Sequence, residues 1–197
     1  MEFWIESFDA PTYVNSVHKV LLREATRRAG VAPNAAYRHF ANREALLHAV
    51  REVALGEVAR AMENHLKKVP RNLSPEDKAR ASLRAVGKGY LRFAQAQPGL
   101  FQTAFSASDV LQTPPGPARR GEMGLSPFKL LGMALDQFTA AGLLPSGRRA
   151  GAEVLAWSAV HGLAMLVIDG PMGKVLAPHM RQFEDRLLEM VEKGLLA

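Results

Sequence analysis

The chain has 197 residues and carries 25 Lys and Arg against 19 Asp and Glu, a formal net charge of +6. It has no cysteine, which excludes a disulfide framework and a cysteine-ligated metal site and suits a reducing cytoplasm. The opening Met-Glu-Phe-Trp-Ile-Glu is acidic where a signal peptide is basic, and the longest apolar run, Val154 to Ile168, is interrupted by Ser158 and His161, so neither a targeting segment nor a membrane partner is expected.

The positive excess is concentrated near the start. Between His18 and Arg51, Lys19, Arg23, Arg27, Arg28, Arg38, Arg43 and Arg51 face only Glu24 and Glu44, a local balance of about +5 that suits attraction to phosphates. A membrane surface would accept the same charge, but the segment lacks the broad apolar face of an interfacial helix. Leu22, Ala25, Thr26 and Ala29 recur at helical spacing and give a short basic helix a narrow apolar stripe. Gly30 follows where that helix must stop, and Val31 plugs the turn. Pro33 starts a second helix to about His39, slim at Ala35 and Ala36 and donor-rich at Tyr37, Arg38 and His39, the chemistry of a helix that enters a DNA groove. Asn42 is placed to cap a third helix, with Glu44 in its first turn.

Further along, turn residues punctuate helices. A helix over about 43–68 presents Leu46, Leu47, Val50, Val53, Ala54, Val58 and Met62 as its buried stripe and ends at Pro70. Ser74, Pro75 and Glu76 start the next, to about Ala96, with Ala81, Ala85, Tyr90 and Phe93 inward, and Pro98-Gly99 breaks it. A short segment over 100–106 carries Phe101 and Phe105 on one face, and 112–126 is a loop. Pro127 opens a helix that ends at Gly142, and two more run over about 147–169 and 175–193. The first of these two is apolar nearly all round and is expected to face water on no side. In the last, Leu176, Met180, Phe183, Leu187, Met190 and Val191 form the apolar stripe, with Arg181, Glu184, Asp185, Arg186, Glu189 and Glu192 outside. The pair is expected to form a four-helix homodimer interface with a second copy; the alternative is internal packing in a monomer. Nothing reads as a strand or an internal repeat, so the fold class is all-α.

The stretch from Leu22 to Leu47 resembles the DNA-binding half of TetR-type transcriptional repressors over about 26 residues, with Gly30, Tyr37, Phe40 and the Leu46-Leu47 pair at the family spacing. The resemblance implies a helix-turn-helix head over 1–52 and a helical ligand-binding and dimerisation body over 53–197. It also implies double-stranded operator DNA as partner, a small-molecule inducer, a cytoplasmic protein and no cofactor. By the same match Arg23, Pro33, Asn34 and Ala35 would face base edges, while Tyr37, His39 and Arg43 would hold phosphates. Trp157-Ser158 and His161-Gly162-Leu163-Ala164, with Pro98-Gly99-Leu100-Phe101, resemble the WHG-type ligand domain of a subset of these regulators. Trp157, His161 and Met165 share a helix face at four-residue spacing, and Phe101, Phe105, Phe128 and Met133 are candidates to surround them in an inducer pocket. The bland alternative is core packing, with His161 bonded to a carbonyl and Gly162 allowing close helix approach.

The first twenty residues depart from the family. Pro11 interrupts the place of the expected first helix, at a cost of about 3 kcal/mol to a helix interior, and Val20-Leu21 replace the usual Thr-Ser cap. Either residues 1–20 come from a misassigned start, or the divergence is real and Phe3, Trp4, Ile5 and Phe8 supply substitute contacts. The rival to a repressor is thus a dimeric small-molecule-binding protein whose incomplete head no longer grips DNA. Catalysis is not expected. The histidines form no ligand set beyond the helical neighbours Glu44 and His48, and neither a nucleophile elbow nor a glycine-rich phosphate loop is present.

Overall fold

A computed structural model describes residues 42–106 and 116–196. The head residues Arg23, Pro33, Asn34, Ala35, Tyr37 and His39 lie outside the described residues, as do residues 112–115 of the expected loop; Arg43 is described as the first residue of its helix. The chain divides into two compact units, Met1–Ala49 and Val50–Ala197, of which the second is described nearly throughout. Among the described residues all regular structure is helical and no strand occurs.

Helix α1 (Arg43–Leu66) begins where Asn42 Oδ1 accepts the Ala45 N–H at 2.9 Å, the cap its sequence implies, with Glu44 in the first turn. Helix α2 (Pro75–Ala96) begins the same way, Ser74 Oγ accepting the Asp77 N–H at 3.1 Å ahead of a proline that has no amide to leave unpaired. Pro98 then starts the short α3 (Pro98–Ala104), and a 3-10 turn (Pro117–Arg119) precedes α4 (Pro127–Ala140). Gly142 leaves α4 at φ +71°, and the N–H groups of Leu143 and Leu144 both return to the Phe138 carbonyl.

The helix expected over 147–169 is broken. Gly151 takes φ +78°, so a single turn, α5 (Ser146–Arg149), is separated from α6 (Ala152–Ile168). After α7 (Gly173–Leu176) and a 3-10 turn (Ala177–His179), α8 (Met180–Leu196) closes the described chain. Helix α2 is the hub: α4, α6, α8 and α3 all pack on it, and Phe101, Leu130, Leu135 and Phe138 are fully buried in the core around it.

Three expected faces are corrected. On α1, Ala54, Val58 and Met62 are buried as expected, but Val50 and Val53 are exposed, and Leu55, Ala59, Glu52 and Glu63 turn inward instead. Glu52 accepts from Arg119 Nε at 2.7 Å and from the Gly116 N–H at 3.1 Å; Glu63 accepts the Glu122 and Met123 N–H groups at 2.7 and 3.0 Å. The segment 116–123 therefore lies fastened along α1, and backbone amides and a guanidinium make these carboxylates interior groups.

Of the apolar stripe expected on the last helix, Leu176 and Met180 are buried and Phe183 and Met190 are exposed on the single chain, while Glu184 and Glu192 of α8, expected outside, are buried. Glu184 accepts from Arg92 at 2.7 Å and Gln95 at 2.5 Å, and Glu192 pairs with Arg80 and, at 2.7 Å, with Arg84, so ion pairs dock this face on α2. On α6 only Ala152, Ala156, Val160 and Ala164 are buried, and Val154, Leu155 and Leu166 stand exposed on the single chain, Leu155 by 69 %.

Candidate ligand-binding cavity

Helices α1, α2, α4, α6 and α8 line a space that opens to solvent on one side, with a cavity volume of about 70 Å³. Its wall is mostly apolar: Leu55 and Met62 from α1, Leu83 and Val86 from α2, Leu131 from α4, Val160 from α6, Leu188 and Val191 from α8. Aromatic rings close one part of it. Phe105, Phe128 and Trp157 line the space as the sequence suggests, and Phe128 meets Trp157 edge to face at 6.3 Å.

The other expected pocket residues sit behind the wall. Phe101 is fully buried and stacks edge-on against Tyr90 at 5.1 Å; Met133 and Met165 pack partly buried against the core. His161 reaches the site through Tyr90, whose hydroxyl lies 2.8 Å from His161 Nδ1 and accepts from Trp157 Nε1 at 2.9 Å. The Trp and His of the WHG resemblance, one helical turn apart on α6, thus converge on one phenol, so the partner of His161 is a hydroxyl rather than a carbonyl. Nor does Gly162 serve helix approach within the chain, since a Cβ there would meet nothing within 4 Å. Sequence reasoning placed Tyr90 inward without giving it this role.

Burial pushes the Tyr90 phenol above its ordinary range, against the opposing hydrogen bond from Trp157, so it stays protonated. Its oxygen takes the Trp157 N–H, and the hydroxyl shares a further hydrogen bond with His161 Nδ1. Burial lowers the pKa of His161, keeping the imidazole neutral. The unfolded chain therefore takes up this proton first as pH falls. The stability tied to His161 is complete above about pH 6.5, the unfolded value, and is lost as pH falls through the lower folded value. Urea midpoints at pH 7.5 and 5 should accordingly differ less in His161→Gln than in the unaltered chain. An unchanged difference would show that His161 does not titrate as a buried neutral group.

Two further polar groups of the wall belong to ion pairs, Arg119 with Glu52 and Arg84 with Glu192. Among the described residues no group of three or more His, Cys, Asp or Glu is placed to hold a metal ion. Nor is any single described helix long and apolar enough to cross a membrane.

An all-helical body preceded by a basic sequence of helix-turn-helix pattern is the arrangement of a DNA-binding regulator. Comparison with known families agrees: residues 83–191 match the model of the tetracyclin repressor-like C-terminal domain, and residues 15–50 match that of the bacterial regulatory proteins of the tetR family. The chain belongs to the TetR family and is a transcriptional regulator. A solved structure of a protein with unknown function from Rhodococcus sp. RHA1 is similar at TM-score 0.64 and 24% identity, covering 89% of this chain and 84% of that one, which speaks for the fold alone. No curated protein matches the chain.

Proposed function

We propose that the protein is a homodimeric repressor that leaves its operator when a small, mostly apolar molecule enters the cavity. The cavity carries this reading, because it is apolar, lies in the body and is walled in part by α1, the helix through which the chain passes from head to body. In this reading the head spans 1–52 and the body 53–197. Arg23, Pro33, Asn34 and Ala35 meet base edges, and Tyr37, His39 and Arg43 meet phosphates. The dimer uses the outward faces of α6 and α8, where Val154, Leu155, Leu166, Phe183 and Met190 stand exposed in one chain and would be covered by a second copy. A molecule that fits one arrangement of the body better than the other shifts the spacing of the two heads, so they no longer span the half-sites. In this reading the chain binds and regulates rather than catalyses.

A second reading, a dimeric ligand-binding protein that has lost DNA, is favoured by Pro11 in the place of the family's first helix. Footprinting the full chain on the DNA upstream of its own gene separates the two. Repression predicts two protected half-sites, affinity that falls steeply with salt, and a shallower salt dependence for Arg43→Gln. A dimer that protects no site at low salt would overturn the repressor in favour of the second reading.

A further inference from the structure

Resting on the reading of the cavity as the effector site, we propose that its ligand is an amphipathic monocarboxylate, an apolar body among Phe105, Phe128, Leu131 and Trp157 with its carboxylate held by Arg84. The polar groups of the wall differ in what they have left to offer. Tyr90 and Trp157 are bonded to each other and to His161, Arg119 is paired with Glu52, and Ser126 Oγ accepts the Lys129 N–H. Arg84 spends only its Nε, on Glu192 Oε2 at 2.7 Å; its two terminal nitrogens bond no described residue.

The charge around Arg84 is also unbalanced. Glu192 takes Arg80 on its other oxygen, so two guanidinium groups share one carboxylate and one positive charge is left over. The neighbouring acids do not cancel it: Glu189 is held by Lys193 at 2.5 Å, Asp185 by Lys88 and Glu184 by Arg92, each at 2.7 Å. The Arg84 side chain is 42 % exposed, which places its charge at the solvent edge of a mostly apolar space. An anionic head buried deeper would lose its hydration with nothing to replace it, whereas a guanidinium edge offers two parallel donors to two carboxylate oxygens. One surplus charge matches a monoanion better than a doubly charged phosphate.

The test compares decanoate, decan-1-ol and decyl phosphate on the full chain, by calorimetry and by the fluorescence of Trp157 in a Trp4→Phe background. Decanoate should bind about tenfold or more tightly than decan-1-ol, the worth of a hydrogen-bonded charge, and decyl phosphate no tighter than decanoate. Arg84→Gln should bring the decanoate-to-decanol ratio close to one while leaving decan-1-ol binding within about twofold. Arg84→Lys, which keeps the charge without the fork, should fall between; it carries the comparison if thermal melting shows the glutamine variant unfolded. Decan-1-ol binding as tightly as decanoate, decyl phosphate binding more tightly than decanoate, or a ratio that survives both substitutions would overturn the carboxylate assignment and leave the cavity reading standing. If none of the three binds and Trp157 stays silent, the cavity reading fails and this proposal fails with it.

Discussion

Glu52→Ala is expected to destabilise the body by about 3–5 kcal/mol, the cost of stranding one partner of a buried ion pair. Glu52 and Arg119 are 5 and 6 % exposed, and Arg119 Nε donates to Glu52 at 2.7 Å while the other carboxylate oxygen takes the Gly116 N–H. With the carboxylate gone, a guanidinium in the cavity wall loses this counter-charge, and the segment 116–123 keeps the Glu63 carboxylate on the Glu122 and Met123 amides and the Lys67–Glu122 ion pair. Replacing both partners by apolar groups removes the stranded charge, so Glu52→Met with Arg119→Met should recover most of the loss. Urea unfolding of the three variants at pH 7 measures this. A loss below about 1 kcal/mol for the single change would place the pair with solvent-screened surface bridges.

What could be read from sequence divides by distance along the chain. Asn42, Ser74-Pro75, Pro127 and Gly142 set helix ends through local groups, and the structure finds each end where those residues place it. Periodicity likewise put Trp157 and His161 on one face. The inward glutamates were not legible, because apolar periodicity reads any glutamate as outward. Glu52, Glu63, Glu184 and Glu192 are inside only because partners arrive from 59 to 112 residues away. A signal was nevertheless present in Arg80, Arg84, Lys88 and Arg92, a row of cations at four-residue spacing on α2 that calls for acids on whichever helix covers it. Tyr90 illustrates the same limit, since its partners Trp157 and His161 lie 67 and 71 residues on. The apolar circumference of α6 was legible, but its outward half is not explained by packing within the single chain.

The second large effect is expected at Gly89, where even alanine should cost about 3 kcal/mol. Positions 87 and 89 lie two residues apart on α2, about 200° around the helix, so the two glycines present bare backbone on opposite sides. At Gly87 an added Cβ meets the end of the Leu188 side chain, which can turn aside. At Gly89 it would stand 2.5 Å from Met62 Cα, 2.7 Å from the Ala61 carbonyl oxygen and 2.9 Å from Met62 N, and none of these backbone atoms moves without α1. The methyl group therefore forces α1 and α2 apart and widens the cavity at Met62, so ligand affinity should fall together with stability. Ordinary helix propensity argues the other way, favouring alanine over glycine by about 1 kcal/mol inside a helix. Gly194→Ala on α8, where an added Cβ meets nothing within 4 Å, shows that gain alone and serves as the control. Thermal and urea unfolding should rank Gly89→Ala well below Gly87→Ala, and Gly194→Ala at or above the unaltered chain. Should Gly89→Ala instead gain as Gly194→Ala does, the close approach of α1 to α2 would not exist in solution, and the cavity wall built on it would have to be redrawn.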